Sequence, residues 1–123
     1  MPNISNFFRT GPSARERELA LDSDIAFATL EAKAIQRQFG DTGSPAQRKV
    51  ANSYQPQLDS ALSMLAERKF RSARDATYGT LETAGDDVAS GKLTEHDYKL
   101  IADHLMKIAN VAGKHPDRSA ESS

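Results

Sequence analysis

Cysteine and tryptophan are absent from the 123 residues, and valine occurs only at Val50, Val88 and Val111. Without cysteine there is no disulfide, thiolate zinc site or cysteine nucleophile. No apolar run approaches the roughly 20 residues that span a bilayer. Met1 to Gly11 holds Phe7 and Phe8, but no apolar stretch of the about 7 residues a secretory signal peptide requires. An excess of charge is also missing: sixteen Lys and Arg nearly cancel seventeen Asp and Glu, leaving -1. Broad electrostatic capture of nucleic acid is therefore disfavoured, although a local basic patch can still form.

Large aliphatic residues are scarce too. Leu, Ile, Val and Phe number 23, and 18 of the 47 apolar residues are alanine. So low a share signals disorder when net charge is high; at -1 it predicts a folded chain with a thin core. Ala, Leu, Glu, Lys, Arg and Gln, which lose little rotamer freedom in a helix, together supply 56 of the residues. No alternating strand pattern of useful length occurs. The expected fold is all-α, one compact bundle of about four helices over 13–113, mostly antiparallel because the joining loops are short. An irregular arm, 1–12, precedes it, and a polar tail, 114–123, is expected to be disordered.

Ser13 with Glu16 three residues on is a capping box, predicting a helix start. The helix is expected to run to about Phe39 and end at Gly40 as a C′ glycine. Leu21, Ile25, Ala28, Ala32, Ile35 and Phe39 alternate steps of four and three and form its buried stripe. Phe27, Leu30 and Ala34 are expected to widen that buried face. Ser44-Pro45 restarts a helix, with proline at the first helical position. Val50, Tyr54, Leu58, Ala61 and Leu65 stay in phase across Pro56, which predicts one kinked helix. Glu67-Arg68-Lys69 reads as a tight turn. A third helix, Phe70 to Ala89, buries Phe70, Ala73, Thr77, Leu81, Ala84 and Val88, and Gly79 and Gly85 each weaken it by roughly 1 kcal/mol. Thr94 caps the fourth, with Asp97 at the capping-box position, and Tyr98, Ile101, Leu105, Ile108 and Ala112 form its stripe up to Gly113.

Chemistry is hard to place on this frame. His96 and His104 are eight apart, out of register for a helical ligand pair, and His115 falls in the tail. Gly40-Asp41-Thr42-Gly43 lacks the spacing and lysine of a phosphate loop. Asp22/Asp24 and Asp86/Asp87 diverge around their helices as solvated faces. No catalytic residue, metal site or cofactor is therefore expected. The densest basic stretch, Arg68-Lys69-Phe70-Arg71-Ser72-Ala73-Arg74, reads either as a hairpin tip paired with Glu67 and Asp75, or as a contact for phosphate or an acidic protein.

Ala61 to Leu81 resembles a tetratricopeptide-type helical hairpin, with Ala61 at the small residue of the first helix, Phe70 opening the second and Ala73 at the small contact. The terminal proline and a second copy of the repeat are missing, so no family membership is drawn. The expected role is a non-catalytic protein-protein interaction module: a small bacterial or phage adaptor, chaperone-like factor or inhibitor that binds another protein or itself. Candidate partner-binding residues are Phe7, Phe8, Ala28, Ala32, Arg68, Lys69, Arg71 and Arg74. The alternatives are a nucleic-acid-associated regulator using 68–74, or a secreted bacterial effector. A cytoplasmic location is expected, with export lacking a cleavable signal left open.

Overall fold

The computed structural model describes residues 13–115, which form four helices and no strand. Helix α1 spans Ala14–Ile35, α2 Pro45–Ala66, α3 Phe70–Ala89 and α4 Glu95–Gly113. The all-α bundle predicted from composition is what forms. Packing runs in a ring, with α1 on α4, α4 on α3, α3 on α2, and α2 against the end of α1. His104 and His115 of the α4 segment meet Glu31 and Asp24 of α1, so these two helices run antiparallel. One buried cluster, including Leu21, Ile35, Tyr54, Leu65, Phe70 and Leu105, fills the centre.

The helix starts follow local chemistry. The Ser13 hydroxyl accepts from the Glu16 N–H (3.1 Å) while the Glu16 carboxylate accepts from the Ser13 N–H (3.3 Å), the predicted box. Ser44 and Gln47 make the same reciprocal pair ahead of α2, with Pro45 inside the first turn. Helix α2 continues through Pro56 as one helix. Proline leaves the Asn52 carbonyl without its helical donor, but both residues are on the exposed side, open to solvent.

Two helix ends differ from expectation. Helix α1 does not finish with a left-handed Gly40; it widens into a π-helical turn, Gln36–Asp41, closed by the Thr42 N–H on the Arg37 carbonyl (3.1 Å). Gly43 is used there for close approach, because a Cβ would run into the Phe39 carbonyl oxygen. The box predicted for α4 is half formed. Asp97 donates its N–H to the Thr94 hydroxyl (3.0 Å), but its carboxylate accepts from the Gln47 side chain (2.9 Å). A tertiary partner has replaced the local one.

The turn over 67–69 forms as predicted and is a Schellman motif: Lys69 donates to the Met64 carbonyl (2.8 Å) and Arg68 to that of Leu65 (3.0 Å). Its left-handed residue is Arg68, φ 64°, where glycine is usual. The end of α3 repeats the motif with Gly91 at φ 82°. In α3, Thr80 is buried where Leu81 was expected, and Leu81 and Val88 are half-buried. Thr77 and Thr80 can lie inside because each hydroxyl donates to the carbonyl four residues back.

Candidate interaction surface

The sequence-nominated residues do not assemble into one site. Phe7 and Phe8 lie outside the described residues. Ala28 and Ala32 are 0% and 5% exposed in the core, so the alanine stripe of α1 is consumed by the protein's own packing and offers no surface to a partner. Arg68 is turned onto α1, its guanidinium on Glu18 (2.7 Å) and Asp22 (3.1 Å), and not onto Glu67 or Asp75 as the hairpin-tip reading supposed. The Glu18 hydrogen bond raises the guanidinium's pKa; burial opposes it, and the charges of Glu18 and Asp22 add to the rise. Lys69 pairs with Glu67 (3.2 Å), while Arg71 and Arg74 are on the exposed side of α3. The basic run is therefore divided, with its first arginine committed to holding two helices together.

The remaining polar clusters are structural in geometry. Tyr54 is fully buried and donates its hydroxyl to Asp87 (2.6 Å). Burial first, and the adjoining carboxylate second, push the phenol above its ordinary value of 10.0. A hollow beside this pair is lined by Lys49, Val50, Ser53, Asp87 and Lys92, but the Ser53 hydroxyl is bonded to the Val50 carbonyl (2.6 Å). His104 bonds Glu31 (2.7 Å), with Lys107 held nearby by Asp103 (3.1 Å). His115, assigned by sequence to a disordered tail, meets Asp24 (3.0 Å) and lies over the Phe70 ring at 5.2 Å. Among the described residues, no group of three His, Asp or Glu could hold a metal ion. None of their helices is long and apolar enough to cross a membrane.

What stands out is apolar and on α1. Leu19, Phe27 and Leu30 are 57%, 43% and 58% exposed. At 100° per residue these three fall within an arc of about 80°, together with Ser23 and Ala34. The buried residues Leu21, Ala28, Ala32 and Ile35 occupy the opposite side. The expectation that Phe27, Leu30 and Ala34 widen the buried stripe is thus overturned for the two large residues, while Ala34 is half-buried. The reason is the ring arrangement: α1 packs on α4 and, through its last turn, on α2, and α3 lies across the diagonal.

Polar anchors on both flanks fix this rotation. Asp24 and Glu31, on one side of the inner stripe, hold His115 and His104; Glu18 and Asp22, on the other, hold Arg68. With both flanks tied, the only direction left for Leu19, Phe27 and Leu30 is outward. Leu19 drew no attention in the sequence because it sits on the side away from the stripe; that α1 is apolar on two opposed faces was the signal to use.

No protein-family model, curated protein or solved structure matches this chain.

Proposed function

We propose that this protein is a non-catalytic protein-protein interaction module whose binding surface is the outer face of α1. One observation carries the reading: three large apolar side chains, Leu19, Phe27 and Leu30, share an exposed face of a helix whose opposite face is packed. Scattered exposed hydrophobics are ordinary, whereas clustered ones mark binding surfaces. Ser23 and Ala26 between them are small and exposed, so a partner helix can come close to the backbone. The role of small adaptor, chaperone-like factor or inhibitor is the form of this activity that a bundle with no assembled catalytic group suits.

The experiment is affinity purification with the full chain as bait, beside Phe27→Ser/Leu30→Ser. Both substitutions are on the water side of α1, so thermal melting should change little while partner recovery falls. Equal recovery of the same proteins by both baits would sink the proposal.

A further inference from the structure

We infer that the outer face of α1 takes an acidic amphipathic helix of a partner protein. The apolar side of that helix covers Leu19, Phe27 and Leu30, and its carboxylates answer Arg15, Lys33 and Arg37. This rests on the reading of that face as a binding surface and names the chemistry of its occupant. The argument is how charge is committed along α1. Every carboxylate of the helix already has a partner inside the molecule. Glu16 accepts from the Ser13 N–H, Glu18 and Asp22 hold Arg68, Asp24 holds His115 and Glu31 holds His104. Arg15, Lys33 and Arg37 are exposed and enter no ion pair among the described residues.

These three cations share one edge of the apolar face. Arg15 and Lys33 are separated by five full helical turns, so they lie on one line, roughly 27 Å apart. That line is about 40° from Leu19, on the side away from Phe27. Arg37, four residues past Lys33, adjoins its end. Asp22, the carboxylate nearest this edge, is held by Arg68 (3.1 Å). The other edge differs: beyond Phe27 come Ala20, Glu31 and Asp24.

The one-sided arrangement selects the occupant. An anionic membrane presents the same charge to both edges of a helix lying on it, whereas here the second edge carries carboxylates. A second copy of this face brings the same unanswered cations, with its own carboxylates equally committed. A helix with glutamates or aspartates along one flank meets the cationic edge while its apolar side excludes water from the three large residues. Ser23 and Ala26, small and exposed, let its backbone lie close.

The probes are two synthetic helical peptides with the same leucine face, one edged with glutamate and the other with lysine. By fluorescence anisotropy, the full chain should bind the glutamate-edged peptide at least about tenfold tighter at low salt, a preference that shrinks as salt is added. Lys33→Glu/Arg37→Glu should reverse the preference, and Phe27→Ser/Leu30→Ser should lose both peptides, with thermal melts confirming that each variant is folded. Equal affinity for the two peptides, binding of neither, or a preference unmoved by the charge reversal would overturn the inference. Recruitment to phosphatidylserine vesicles, or a dimer in sedimentation, would overturn it too if Phe27→Ser/Leu30→Ser abolishes either.

In the affinity purification, Lys33→Glu/Arg37→Glu should lose the same proteins as Phe27→Ser/Leu30→Ser. If the charge reversal keeps proteins that the apolar variant loses, the acidic partner falls and the broader reading stands. If neither variant loses any, both fall.

Discussion

The two faces of α1 invert the usual relation between size and burial. Turned inward are Leu21, Ala28, Ala32 and Ile35, half of them alanine; turned to water are Leu19, Phe27 and Leu30. The inner stripe also carries Ile25 and Phe39, so apolar content alone does not explain why the second set is left out. Volume decides, because the alanines let α1 approach α4 closely enough for Glu31 to reach His104 at 2.7 Å. A large residue at Ala28 or Ala32 would hold the helices apart. The lesson is that an apolar stripe is recognised as interior by how tightly its neighbour can approach, and not by how much apolar area it carries.

Matched substitutions on the two faces test this. The largest effect is expected for Ile35→Ala, which opens a cavity and should lower unfolding stability by about 2–5 kcal/mol in urea titrations. Leu30→Ala, one and a half turns away on the other face, should cost the monomer no more than about 0.5 kcal/mol. Adding volume reverses the logic. Ala28→Leu should cost about 1–3 kcal/mol by overpacking against α4, whereas Ala26→Leu should be tolerated within about 0.5 kcal/mol. If the two leucines cost the same, close approach is not what sets the inner face.

The anchors that hold the rotation should have smaller effects. Glu31→Ala removes the partner of a half-buried His104 and should cost about 1–2 kcal/mol by thermal or chemical unfolding. Arg68→Ala breaks two ion pairs whose carboxylates are largely exposed, so about 0.5–1 kcal/mol is expected at low salt, shrinking as salt is added. Arg68→Gly is the sharper variant. It loses the same pairs but relieves a side chain held at φ 64°, so it should be less destabilising than Arg68→Ala. The reverse order in paired melts would show that the turn stores no strain at Arg68.

The parts of this arrangement legible in the sequence are those written within a few residues. The Ser13-Glu16 box needs only a side chain and a backbone N–H three residues apart, and the start of α2 at Pro45 is equally local. The stripes of α2 and α4 were readable because each has one apolar face. Helix α1 has two; periodicity picked out the inner stripe correctly but did not show that Phe27 and Leu30 stay in water. The Arg68 and His115 partners were beyond reach for a related reason. Glu18 is 50 residues from Arg68 and Asp24 is 91 from His115, and nothing nearby in the chain encodes either choice. Local readings offered Glu67 and Asp75 for the basic stretch, and solvent for the tail.

The sequence by itself determined that this chain is helical, where each helix begins and which stripes of α2 and α4 turn inward, with that of α3 read only in part. Capping chemistry and 3.6-residue periodicity act over one or two turns and owe nothing to distant residues. Only the tertiary structure decided that the second apolar face of α1 stays uncovered, because that depends on α4 lying close to one side, on α3 lying across the diagonal, and on Arg68, His104 and His115 holding the carboxylates on both flanks. Burial is a property of what arrives from elsewhere in the chain. For α1, what arrived covered the alanines and left Leu19, Phe27 and Leu30 in water.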